Sequence, residues 1–197
     1  MTLIHVVGTN ASGKTTAVRT LLNSHMERVT NIFDEREKLV AHEGYVGDRR
    51  IRLLGPYAQG NALCVGMDRL SQGAEEMFAF IRRHLSECPN VVIEGSRTHN
   101  FKRASELLNS GVRIHLVLLT TPIDVVLESL TARRAAKGQP PLADTQHILL
   151  NDRRAKSFAR NLYQLGATVH QVDRESAPAK IVDIVQNSTL LFDKSAL

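Results

Sequence analysis

Tryptophan is absent from this chain of 197 residues, and tyrosine and phenylalanine number only three and six. So few rings exclude the rows of exposed aromatics on which single-strand-binding proteins stack successive bases. Cysteine occurs twice, as Cys64 and Cys88, without metal-type spacing. That rules out a disulfide framework and points to a reducing, cytoplasmic setting (a host cell's, for a phage-encoded chain) in which both thiols serve packing. No stretch approaches the roughly 20 apolar residues of a membrane span, so no membrane partner is expected. The first residues run straight into a strand pattern, unlike a secretory leader. No His-x-x-x-His pair, internal repeat or low-complexity tract occurs. Such a length supports one sizeable core and is short for two domains. We therefore expect a single domain over residues 1–187 with a loosely attached tail over 188–197.

Net charge is scarce everywhere but in one place. The net charge is +5, and residues 131–160 hold seven bases (Arg133, Arg134, Lys137, Arg153, Arg154, Lys156, Arg160) against two acids (Asp144, Asp152). That segment carries the whole excess. A solubilising helix face is the bland reading; a surface that meets polyanions is the sharper one.

What is present is a phosphate-binding loop. Gly8-Thr9-Asn10-Ala11-Ser12-Gly13-Lys14-Thr15 matches Gly-x-x-x-x-Gly-Lys-[Ser/Thr], between an apolar β-branched run, Leu3–Val7, and a helical pattern over Thr16–Leu22. Glycines let successive backbone N–H groups converge on a phosphate, and the following helix adds its positive end. Lys14 then reaches the β- and γ-phosphates and the Thr15 hydroxyl holds Mg²⁺, with Thr16 beginning the helix.

Further along, strand and helix patterns alternate. Strands are expected at Arg50–Leu54, Asn90–Ile93, Val112–Leu119 and Ala167–Val172. Helices are expected at Ala74–Leu85, Phe101–Leu108, from an N1 Pro122, over Ala143–Leu165 and over Ala177–Gln186. Val29–Asp48 is mixed, with Lys38–His42 a candidate strand. Alternation implies a mostly parallel sheet whose ligands bind beyond the strands' carboxyl ends.

Those ends hold the remaining candidates. Glu94 closes an apolar strand and precedes Gly95, the place for a carboxylate that holds a metal-bound water or accepts a proton. The glycine-punctuated loop from Gly55-Pro56-Tyr57 through Gly60 to Gly66-Met67-Asp68 offers Asp68 as general base or ligand of a substrate hydroxyl. It also offers Tyr57 as a base-stacking ring; a capping Asp and a packing Tyr are the alternatives, and the residues alone leave both open. Arg97 and His99 follow Glu94-Gly95 and are candidate substrate contacts. Arg133 and Arg134 precede the Gly138-Gln139-Pro140-Pro141 break and suit a lid, about residues 131–160, that closes on phosphates. His5, His84, His115 and His170 fall inside strands or helices and are read as structural.

Assembled, the pattern resembles P-loop kinases of the nucleoside and nucleotide kinase group. More narrowly, Gly55-Pro56-Tyr57, Gly66-Met67-Asp68, Glu94-Gly95, Arg133-Arg134 with Lys137-Gly138, and Arg174-Glu175-Ser176-Ala177 resemble the bacteriophage 5-hydroxymethyluracil DNA kinases. The likeness runs from about Leu3 to about Val185. That family has paired glycines where this chain has Val65-Gly66. The resemblance implies a three-layer α/β P-loop NTPase fold with a five-stranded parallel sheet of order 2-3-1-4-5 and a helical lid. It also implies that ATP phosphorylates a hydroxymethyl pyrimidine in DNA, a step towards hypermodified bases. By that reading Lys14 and the loop bind ATP, Thr15 and Glu94 the metal, Asp68 the acceptor hydroxyl, and Arg133 and Arg134 close the lid. Asp68 and Glu94 could exchange roles. A kinase of a free nucleoside or nucleotide, and a non-catalytic ATP-binding module, are the competing readings.

Overall fold

In the computed structural model, β1 (Thr2–Val7) is buried along its whole length, as a strand covered by helices on both faces must be. The residues described are 1–57, 66–70, 73–140, 142 and 144–188. Gly60, Cys64, Val65, Pro141, Ala143 and the tail from 189 onward lie outside them. β5 (Asn90–Glu94) and β6 (Arg113–Leu119) flank β1, both parallel to it. β4 (Arg49–Leu54) continues the parallel arrangement beyond β5, and β7 (Thr168–Val172) continues it beyond β6. β2 (Glu27–Phe33) and β3 (Leu39–Val46) extend the β4 edge as an antiparallel ribbon.

The full order is β2-β3-β4-β5-β1-β6-β7. This corrects the expectation of a five-stranded parallel sheet of order 2-3-1-4-5. The sheet has seven strands and is mixed; β4, β5, β1, β6 and β7 make up its parallel part. β2 escaped notice because nearly all of it is exposed, so neither face imposes apolar alternation on its sequence.

Six α-helices are described. α2 (Ala74–Glu87), α3 (Phe101–Asn109) and α5 (Gln146–Gln164) cover one face, where Phe78, Ile81, Leu107 and Phe158 meet Leu3, Val91 and Leu116. α1 (Lys14–Ser24) and α6 (Ala177–Asn187) cover the other, packing Val18, Leu21 and Ile181 on Ile4, Val92 and Val117. Adjacent strand residues thus feed opposite cores, as strand geometry requires. α4 (Ile123–Ala135) buries only Val126 among its residues. Pro122 caps it and does not occupy its first turn. The expected lid segment spans the end of α4, the break and much of α5, whose Ile148, Ala155, Phe158 and Ala159 are buried in the fold.

Candidate active site

The register of β1 and β5 sets the site. Val6 pairs with Glu94, so the last residue of β5 stands beside the chain just before it enters the Gly8–Thr15 loop. Gly13 takes φ 99°, and a Cβ there would lie 2.9 Å from the Cβ of Arg174, so glycine is required twice over. Ala11 also has a positive φ, 62°, a conformation costing roughly 1 kcal/mol for a non-glycine residue. The Thr121 hydroxyl donates to the Ser12 carbonyl at 2.7 Å, and the Thr9 hydroxyl to the Ile148 carbonyl at 3.3 Å. These tie the loop to the end of β6 and to α5. The first turn of α1 has no acidic residue, leaving its positive end free of competition for an anion.

Lys14 is buried, its Nζ donating to the carbonyls of Gly8 (2.9 Å) and Thr9 (2.7 Å). The Thr15 hydroxyl donates to Oε1 of Glu94 at 2.9 Å. Glu94 is only 4% exposed, and burial lifts its carboxyl above the usual range; Lys14 and the Thr15 hydrogen bond pull it down, while Asp68 adds to the rise. Asp68 sits in a short 3-10 turn, Met67–Arg69. Its Oδ2 accepts from the Ser96 N–H and hydroxyl, and its Oδ1 from the Arg97 N–H, each at 2.9 Å. Two glycines permit this closeness. A Cβ on Gly66 would overlap the Glu94 carboxylate, and one on Gly95 would meet Asp68 Oδ1 at 2.8 Å.

A cleft of about 400 Å³ results. Asn10, Ala11, Gly13, Lys14, Thr15 and Thr16 line it. Asp68, Glu94 and Ser96 line it too, with Leu130 and Arg133 of α4. Gly8, Thr9, Arg97 and His99 open instead into a second cleft of about 550 Å³, which shares Asn10 and Ser96 with the first. Burial, and then the Lys14 charge, bring the His99 imidazole down to about 4, so it is neutral at physiological pH.

Two candidates stand elsewhere. Tyr57 is 2% exposed in the core with its hydroxyl on the Leu54 carbonyl at 3.2 Å, and burial holds its phenol well above the ordinary value. It lines neither cleft, so the base-stacking reading gives way to the packing one. Arg134 donates from Nε to the Pro140 carbonyl at 2.6 Å, holding the break together while Arg133 reaches the cleft. Ser96, which borders both clefts, was missed, though a polar residue directly after a strand-end Glu-Gly is where the parallel-sheet rule would look. Thr121 and Arg174, which follow strands and so belong to the same carboxyl edge of the sheet, meet the loop at Ser12 and Gly13.

Among the described residues no group of three or more His, Cys, Asp or Glu could hold a metal. The Thr15 hydroxyl and the buried Glu94 carboxylate are a different donor set: two hard oxygens beside a cleft, which fits a hard cation such as Mg²⁺. Also among the described residues, no helix is long and apolar enough to cross a membrane.

A glycine loop facing a buried acid at the carboxyl edge of a parallel sheet is compatible with an α/β protein of the nucleotide-kinase type. No protein-family model matches the chain. It is similar to a protein named 5-hmdU DNA kinase from Pseudomonas phage PaMx11, at 26% identity over 178 residues, spanning 89% of this chain and 92% of that one.

Proposed function

We propose that this protein is an ATP- and Mg²⁺-dependent kinase that phosphorylates the hydroxymethyl group of 5-hydroxymethyluracil in DNA. The observation that carries the reading is the contact of the Thr15 hydroxyl with buried Glu94 in the wall of a cleft also lined by Lys14 and Arg133. The similarity to a named DNA kinase supports it, as does the basic segment 131–160, whose charge exceeds what a free nucleoside would need.

In this reading Lys14 and the loop amides bind the phosphates, and Thr15, hydrogen-bonded to Glu94, would hold Mg²⁺, which neutralises charge on the phosphate oxygens when bound. The hydroxymethyl oxygen attacks the γ-phosphorus, the bond from that phosphorus to the β–γ bridging oxygen breaks, and ADP leaves. Arg133 stabilises the charge spread over the transferring group. The hydroxyl proton passes to a carboxylate. Glu94, its pKa lifted by burial, suits that role, while Asp68, with both oxygens occupied by Ser96 and Arg97, is a positioning residue. A base in duplex DNA must be flipped out to reach the site.

The test offers γ-labelled ATP with hydroxymethyluracil DNA, free nucleosides, free nucleotides, or no acceptor. Label in DNA is expected. Label in small molecules alone would replace the acceptor, and ATP binding without transfer would leave a nucleotide-binding module. Asp68→Asn is expected to keep ATP binding and lose turnover; full activity would remove Asp68 from the site.

A further inference from the structure

The second cleft has a built wall. Asn151, Arg154, Ser157, Phe158 and Asn161 of α5 border it, at spacings of three and four that place them on one side of the helix. The His99 ring stacks on Phe158 with centroids 5.2 Å apart and planes at 24°. Phe101, 42% exposed, stands at the edge. His99 Nε2 is buried without a hydrogen-bond partner among the described residues. Arg97 and Arg154 are both exposed there, and no acidic residue lines the cleft among the described residues. A merely solubilising helix face would not set aromatic rings, amides and cations around one concavity that meets the nucleotide cleft at Asn10 and Ser96.

We propose that this cleft receives one nucleotide unit of a DNA strand, with its base against the His99 and Phe101 rings, His99 backed by Phe158, and the backbone phosphates at Arg97 and Arg154. Asn161, on the α5 wall, is placed to read the edge of the base. Aromatic surface recognises any base by its face, while amides discriminate by its edge. The proposal rests on the kinase reading, which supplies the reason for a base to lie beside the phosphate site. The wall shared by the two clefts is where hydroxyl and γ-phosphate would meet, and Asp68 fixes that wall through Ser96 and Arg97.

The experiment is fluorescence anisotropy with a labelled single strand holding one hydroxymethyluracil, titrated at several salt concentrations. It compares wild type, Arg154→Ala and Asn161→Leu; a fluorescent ATP analogue and thermal melts verify that each variant is folded. Arg154→Ala is expected to weaken strand binding about tenfold and to reduce the slope of log K against log salt by about 0.7. Asn161→Leu is expected to weaken binding without changing the slope, and ATP-analogue affinity stays at the wild-type value in both. Wild-type strand affinity and slope in both variants would overturn the proposal. So would a free 5′-mononucleotide that competes with the strand on equal terms. Wild-type protein that binds the strand with this sensitivity yet transfers no label to it would support the cleft and remove the kinase reading. Transfer at unchanged KM by both variants would keep the kinase and overturn the cleft.

Discussion

Gly66→Ala is the sharpest test of the site's geometry. The added methyl overlaps the Glu94 carboxylate and lies 2.8 Å from the Glu94 backbone carbonyl. A side chain can swing away, but that carbonyl belongs to β5, whose Glu94 is in register with Val6 of the central strand. The carboxylate must leave Thr15 and the Met67–Arg69 turn must shift. Overpacking of this kind costs about 1–3 kcal/mol, or a fall in Tm of roughly 2–12 °C for a domain of this size. Displacing a positioned carboxylate by about 1 Å reduces kcat about a hundredfold. Gly73→Ala is the control: among the described residues nothing lies within 4 Å of the new Cβ, φ is −131°, and the change should stay within about 0.5 kcal/mol. Thermal melts and label transfer measure both effects. A Gly66→Ala protein with wild-type Tm and wild-type turnover would refute the claim that Gly66 makes room for Glu94.

Glu94→Gln is expected to lower kcat by about 10²–10⁴, as loss of a general base does, and also to alter stability with pH. Burial raises the folded-state carboxyl, so the folded chain holds its proton to higher pH than the unfolded one, and wild type loses stability as pH rises through that window. Glutamine removes the loss, and the Tm difference between variant and wild type should therefore grow in the variant's favour as pH rises; a constant difference would count against a lifted carboxyl. His99 runs the other way. Its pKa falls from 6.5 to about 4, so the unfolded chain binds the proton first and stability drops as pH falls through that interval, by about 3 kcal/mol from this residue. His99→Phe should flatten part of that slope in melts between those pH values. Tyr57→Phe should cost about 1 kcal/mol for the hydrogen bond to Leu54 and leave both KM values alone; a raised acceptor KM would return Tyr57 to the site.

The glycine loop and Glu94 were legible because each is a local pattern with one physical meaning: glycines where the backbone must turn, an acid where a buried strand ends. Asp68 was legible as a residue of the site but not in its role, since nothing near it in sequence reveals that its oxygens are taken by Ser96 and Arg97. Tyr57 read equally well as ligand or core, because an aromatic beside Gly55-Pro56 has no periodicity to place it. β2 was invisible for want of a buried face, and with it the mixed character of the sheet. The wall of α5 could be read only as charge: that Arg154 and Asn161 share a cleft with His99 depends on α5 packing against α3 across an interval of some fifty residues.

Lys14 carries a further consequence. Its ammonium donates to the carbonyls of Gly8 and Thr9, so the loop contains its own competitor for the cation a phosphate would seek. A neutral visitor offers oxygens no better than those carbonyls and leaves the lysine where it is. A polyphosphate offers charged acceptors, for which hydrogen bonds are about twice as strong, and draws the ammonium away from the backbone. On the proposed function, the loop would thus sort ligands by charge before it sorts them by shape.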